Sequence, residues 1–269
     1  MLRIFLLLLC SSWFVPVAMA APFDHSLWNK MLHEYVHSAH HDATTVVDYA
    51  GFSKEKAHLK SYLKQLSKVK QDEFDSWSHQ EQLAFLINSY NAGTVSLVLT
   101  GYPKLQSIKD LGSFFRSPWS KSFIPLLGET RSLDDIEHQL IRGSGRYNEP
   151  RVHFAVNCAS IGCPALRPEA YTAAKLDKQL AEQTKAFLSD RSRNRLEGDQ
   201  LKVSSIFKWY RADFEKGWGG IHSLPEFFAR YASSLSLSAQ QLTALQNSKV
   251  DIEFLDYDWH LNAASVASL

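Results

Sequence analysis

The stretch His153-Phe154-Ala155-Val156-Asn157-Cys158-Ala159-Ser160-Ile161-Gly162-Cys163-Pro164 constrains this chain most. It joins a histidine, two cysteines and a proline-bounded turn. Val152, Phe154 and Val156 alternate with His153, Ala155 and Asn157, the period of a half-buried strand. That phase predicts His153 and Asn157 on one face and places Cys158 with the apolar residues. Ser160-Ile161-Gly162 breaks the pattern. Cys163 precedes proline, which pushes its backbone out of the helical region. A helical turn opened by Pro164 would make Cys163 an N-cap, where free N–H groups favour a thiolate. These are parts for thiol catalysis. They are equally parts for a small disulfide loop.

Export decides how the cysteines are weighed. Arg3, the apolar run from Ile4 to Leu9 and Ala18-Met19-Ala20 have the order of a secretory leader. Residues 1–20 are therefore expected to be removed, leaving Ala21 first and the mature protein periplasmic or secreted. Cys10 lies too early for a lipid anchor, and no later stretch is apolar enough to cross a bilayer. Cys158 and Cys163 then remain, and a close pair in an exported chain is most often joined. A hydrophobic content of 45% and a charged content of 21% suit a real core. A net charge of +1 gives no global field to recruit nucleic acid or anionic membrane.

The periodicities predict α+β architecture: a single, mainly helical domain on a small, mostly antiparallel sheet. A helix is expected over 24–40, a short extended segment over 43–50 and a helix over 53–68 with Leu59, Tyr62, Leu63 and Leu66 inward. In the first, His33-Glu34-Tyr35-Val36-His37 literally matches H-E-x-x-H. A solvated, histidine-rich helix end is the plainer reading, and His40 lacks the spacing of a third ligand. Ser78 and Glu81 form the capping box of a long helix to about residue 100. Asn88 and Asn91 sit inside it and are expected to bond backbone within the core. A hairpin is expected around Gly128-Glu129-Thr130. Ser132 then caps a helix to about Arg142, whose apolar stripe contains Glu137. A carboxylate there needs a partner, and Arg142 and Arg151 are candidates. Further helices are expected at 173–188, 206–215 and 224–235, with a hairpin at 192–204 and a last strand at 250–257.

Several motifs resemble one family. Leu83-Ala84-Phe85-Leu86-Ile87-Asn88-Ser89-Tyr90-Asn91-Ala92 is similar to its W-I-N-x-Y-N-A helix, with Leu86 where tryptophan is usual. Ser132-Leu133-Asp134-Asp135-Ile136-Glu137-His138 is similar to S-L-x-x-I-E-H. His153-Phe154-Ala155 through Cys158 and Cys163-Pro164-Ala165-Leu166-Arg167 resembles H-F-A-x-x-C-x-x-x-x-C-P-x-L-R. Ile206 to Tyr210 with Asp213-Phe214, and Tyr257 to Asn262, resemble later blocks. In this order they resemble the DUF547 family, a domain of unknown function. The resemblance spans about 78–262 and carries no reaction. It implies that Asn88, Asn91, Glu137, His138, His153, Cys158, Cys163 and Arg167 recur together. Residues 21–70 are expected as a helical extension packed on a DUF547-like domain over 71–269, with a motif core at 78–190.

Three functions fit. In a thiol hydrolase or acyl transferase, Cys163 is the nucleophile, His153 the base and Glu137 its orienting carboxylate, with His138 beside them. Asn88 or turn N–H groups would hold an oxyanion. Cys158, Asn91 and Arg167 are assigned to binding. The chain order Glu137, His138, His153, Cys163 reverses the usual cysteine-before-histidine order of thiol proteases. In the second reading, a Cys158–Cys163 disulfide staples a non-catalytic binding domain. In the third, His138, His153, Cys158 and Cys163 hold zinc, at a spacing unlike common fingers. No cofactor is implied, the substrate is an unidentified small molecule or peptide, and nothing fixes the oligomeric state.

Overall fold

The computed structural model describes residues 22–39, 43–113 and 115–264. The expected leader and His40 lie outside them. Helix α1 (Ser26–Tyr35) ends earlier than expected, and the chain turns extended as β1 (Val36–Ala39), paired antiparallel with β2 (Thr44–Val47). Val36 is the break: its backbone is already extended as the helix C-cap. His33 is thus on a helix and His37 on a strand, so the H-E-x-x-H match does not bring two histidines onto one helical face.

Helices α2 (Tyr49–Lys54), α3 (Lys56–Leu66) and α4 (Gln71–Ser76) lead to α5 (His79–Val98). Ser78 caps α5 by accepting the Glu81 N–H at 3.2 Å. Glu81 does not complete the box, because its carboxylate accepts the Phe23 N–H at 2.8 Å instead. Leu83 to Val95 are buried all round, so α5 is an encased helix rather than an amphipathic one. Encasement explains its asparagines. Asn88 donates to the Tyr171 carbonyl at 2.8 Å and accepts the Tyr171 N–H at 3.0 Å. Asn91 donates to the Ala155 carbonyl at 2.9 Å and accepts the Asn157 N–H at 2.8 Å. Both act as a second backbone, pairing loop segments that have no ladder of their own.

The hairpin β3 (Ile124–Leu126) and β4 (Glu129–Arg131) turns at Leu127 and Gly128, both with positive φ. Ser132 and Asp135 then cap reciprocally, at 2.7 and 3.0 Å, a π-helix over Asp135–Arg142. Helix α6 (Leu176–Ser189) precedes β5 (Arg195–Glu197) and β6 (Gln200–Ser204). Short α7 (Ile206–Trp209) and α8 (Arg211–Phe214) replace the single expected helix, breaking at Tyr210. Helices α9 (Leu224–Arg230) and α10 (Ala239–Gln246) follow, and β7 (Asp251–Leu255) joins β6 in parallel. The fold is thus α+β, with small, mainly antiparallel sheets. No helix among the described residues is long and apolar enough to cross a membrane.

One apolar cluster runs from Trp28 through α5 to Leu180. A second gathers Phe154, Phe187, Phe207, Phe214 and Phe227. The cysteine stretch runs between them, and Val156 and Phe154 belong to different clusters.

Candidate functional site

The cysteine stretch is not a strand. Pro150 starts a 3-10 helix over Pro150–Phe154, and Glu149 caps it by accepting the Arg151 N–H. A fixed proline φ and a ready cap outweigh the short apolar alternation. His153 and Asn157 therefore diverge. Asn157 turns inward and donates to the Pro164 carbonyl at 2.7 Å. Pro164 opens no helix, and Cys163 closes a turn by donating to the Ser160 carbonyl at 3.0 Å. Cys163 is thus not an N-cap.

Cys158 and Cys163 form a disulfide with their Cα atoms 6.0 Å apart. Their exposure is opposite to the strand prediction: Cys158 is half-buried, whereas Cys163 is 5% exposed. The Cys163 sulfur accepts the Cys158 N–H at 2.7 Å, and the Cys158 sulfur lies 3.1 Å from the Tyr257 hydroxyl. The loop is clamped from outside. Ile161 and Gly162 donate to the carbonyls of His260 and Asp258, each at 2.8 Å, and Arg193 bonds the Cys163 carbonyl. Glycine suits position 162, because a Cβ there would approach the Asp258 backbone to 3.0 Å and press the clamp outward.

Both sulfurs line a cleft of about 210 Å³. The π-helix and its N-terminal turn supply Asp134, Glu137 and His138. Helix α5 supplies Tyr90, the 3-10 helix supplies His153, and Trp119, Trp209, Tyr210, Tyr257 and Trp259 add an aromatic lining. π segments recur at functional sites. Here the segment sets the adjacent Glu137 and His138 on one cleft.

His153 is 3% exposed. Its Nε2 donates to Asp213 at 2.8 Å, the tautomer this carboxylate requires, and its ring stacks on Tyr210 at 3.9 Å between centroids. Its Nδ1 has no hydrogen-bond partner and lies 4.0 Å from Glu137. Burial pushes the Asp213 carboxyl up, but hydrogen bonds from His153 and Arg142 outweigh it and hold the group well below the usual carboxylate range. Arg142 donates to Asp213 at 2.5 Å and contacts His138 Nδ1 at 2.8 Å.

Glu137 therefore does not take either expected arginine. Arg142 goes to Asp213, and Arg151 pairs with Glu149 and Asp177. Glu137 is 6% exposed and lies by the hydroxyls of Tyr90 and Tyr210, whose ionisation is pushed up first by burial and then by that carboxylate. Asp134 is raised by burial, with His138 at 3.8 Å pulling the other way and the Glu137 and Asp135 charges adding to the rise.

The structure thus brings Glu137, His138, His153, Cys158 and Cys163 together. It does not bring Asn88, whose amide is spent on Tyr171, so Asn88 is no oxyanion donor. Asn91 supports the loop from behind. Arg167 lies in a separate network with Glu169 and Glu182. The carboxylate that hydrogen-bonds His153 is Asp213, while Glu137 stands 4.0 Å from the other ring nitrogen. Asp213 stood in the aromatic block Trp209-Tyr210…Asp213-Phe214, and a carboxylate among aromatics was its only signal. Among the described residues, no group of three or more histidine, cysteine, aspartate or glutamate side chains is arranged to hold a metal ion. The zinc reading therefore has no ligand set here.

Residues 74–188 match the model of a family described as "Protein of unknown function, DUF547". Searches of curated proteins and of solved structures found no match. The matched segment contributes Glu137, His153 and both cysteines, while Asp213 and Tyr257 come from beyond it.

Proposed function

We propose that this chain, which carries a DUF547 domain over residues 74–188, is an exported thiol-dependent hydrolase or acyl transferase held latent by its disulfide. One observation carries the reading: an imidazole held by a buried carboxylate lines the same cleft as both sulfurs. A staple alone needs no such pair beside it.

The asymmetry of the sulfurs gives an order of events. A dithiol reductant attacks the accessible Cys158 sulfur and forms a mixed disulfide there. Cys163 leaves as a thiolate, eased by the Cys158 N–H it already accepts. The second reductant thiol then resolves the mixed disulfide, leaving oxidised reductant and two protein thiols. Cys163 attacks the acyl carbon of an amide or thioester. His153, with Nδ1 free and Asp213 behind it, takes the thiol proton and passes it to the leaving group. Water or another nucleophile then releases the acyl group.

The test is acylation of the reduced mature protein by an activated ester such as 4-nitrophenyl acetate, with the adduct mapped by mass spectrometry. The expected result is an adduct on Cys163 that is absent from the oxidised protein and from Cys163→Ser, and slowed by His153→Ala. Reduced protein reacting no faster than free cysteine overturns the reading.

A second reading rests on the closed disulfide itself. The cleft is then a stapled binding site with no covalent step, and it becomes the default when acylation fails.

A further inference from the structure

We infer that the cleft recognises an alkylammonium group, so that the substrate of the thiol chemistry proposed above carries an amine-bearing arm. The argument starts from what the lining lacks. It holds the carboxylates Asp134 and Glu137 and no lysine or arginine. Glu137 is 6% exposed, lies by the hydroxyls of Tyr90 and Tyr210, and among the described residues has a single ion-pair contact, with His153 Nδ1 at 4.0 Å. A buried carboxylate without a cation is costly, and a bound cation relieves that cost.

The other unpaired groups point the same way. His153 Nδ1 is a lone pair once Nε2–H is given to Asp213, it is without a partner, and the side chain is 1% exposed. The same lining holds a set of aromatic rings: Trp209 and Trp259 stack at 5.8 Å, and Tyr257 meets both at 4.8 and 4.5 Å. Ring faces attract ammonium groups. The protein already shows this on two lining rings, with the Lys109 ammonium 3.5 Å from the centre of Trp259 and the Arg142 guanidinium 4.8 Å from that of Tyr210, so a ligand's ammonium is left the half-exposed Trp209. Carboxylates, a lone pair and ring faces are all acceptors. Their complement is a positively charged donor with an apolar stem. An anionic or phosphorylated ligand meets repulsion at the carboxylates Asp134 and Glu137. Such an arm occurs as a lysine-type side chain of a peptide or as a free diamine, and the cleft treats its ammonium alike in both.

Binding needs no free thiol, so it is measured on the oxidised protein, and failure of the acylation reading leaves this test intact. The mature chain is titrated by calorimetry with n-butylammonium, 1-butanol and butyrate at one salt concentration. The expected order is butylammonium about tenfold tighter than butanol, with butyrate weakest. Asp134→Asn and Trp209→Leu each reduce that preference several-fold; Trp209 is 47% exposed, so its replacement leaves the core intact. Equal binding of butanol and butylammonium overturns the inference, as does no binding of either or stronger binding of butyrate. A second pair separates the sources. Nα-acetyl-lysine methylamide tighter than cadaverine indicates a peptide-borne amine, the reverse order a free diamine, and binding of neither sinks the proposal.

Discussion

Two buried histidines sit in opposite settings. His25 is 5% exposed inside the N-terminal aromatic cluster, against Phe23 at 4.9 Å and with Nδ1 2.6 Å from the Tyr62 hydroxyl. His153 is 3% exposed beside the disulfide, with a carboxylate on Nε2. Each keeps one ring nitrogen without a partner. Burial pushes His25 down to about 4, with Asp24 pulling weakly the other way, so it is a neutral core residue near pH 7. His153 has a charged carboxylate at 2.8 Å and its free nitrogen on a cleft. Burial therefore does not separate a structural histidine from a working one. The partner and the neighbouring cavity do.

The sharpest way to break this contrast is Asp213→Asn. It removes the group that fixes the His153 tautomer, and the acylation rate of reduced protein is expected to fall by roughly 100-fold or more. His25→Phe is expected to leave that rate unchanged. Single-turnover acylation of both variants is the measurement, and similar losses in the two would dissolve the distinction.

The next effect is on stability. Unfolded His25 takes a proton near the ordinary histidine value of 6.5, whereas the folded protein resists until about 4. Acid therefore favours the unfolded chain across that window. Stability present above pH 6.5 is lost progressively as the pH falls to about 4, by up to about 3 kcal/mol from this residue. Urea unfolding at steps between pH 7 and pH 4 tests it, and His25→Phe is expected to flatten the slope. Asp213 is shifted in the same direction from a lower starting value, so its contribution persists through this window and fades only at much lower pH.

A smaller change comes from opening the disulfide. The cysteines are five residues apart, and so short a loop contributes about 2 kcal/mol. Melting with and without a dithiol reductant measures it. The smallest effect is expected for Tyr62→Phe, which costs His25 its hydroxyl partner and about 1 kcal/mol.

Much of the fold was legible in the residues. Ser78 and Ser132 each cap the helix start they indicate, because a cap is a local device. Both asparagines of α5 bond loop backbone, as polar groups inside an encased helix must. The failures also have physical causes. The alternation at 152–157 was overridden by Pro150 and the Glu149 cap. The partner of Glu137 was misread because arginine reach cannot be judged along a sequence, and tyrosines from α5 and the Tyr210 break arrived first. His153 and both cysteines were identifiable within one short stretch. Asp213 was not, since it lies 60 residues from His153 and meets it only through the tertiary fold.

The clamp over the cysteine loop has a consequence for the order in which the chain emerges. Cys158 and Cys163 are near neighbours in sequence, yet Tyr257 follows Cys158 by 99 residues and the carbonyls that hold Ile161 and Gly162 come later still than Tyr257. During synthesis, the two thiols leave the ribosome well before the segment that covers them. For that interval they stand without the segment that later clamps their loop. The pairing can thus be settled while the cleft is still unbuilt, and the C-terminal segment then closes over a choice already made.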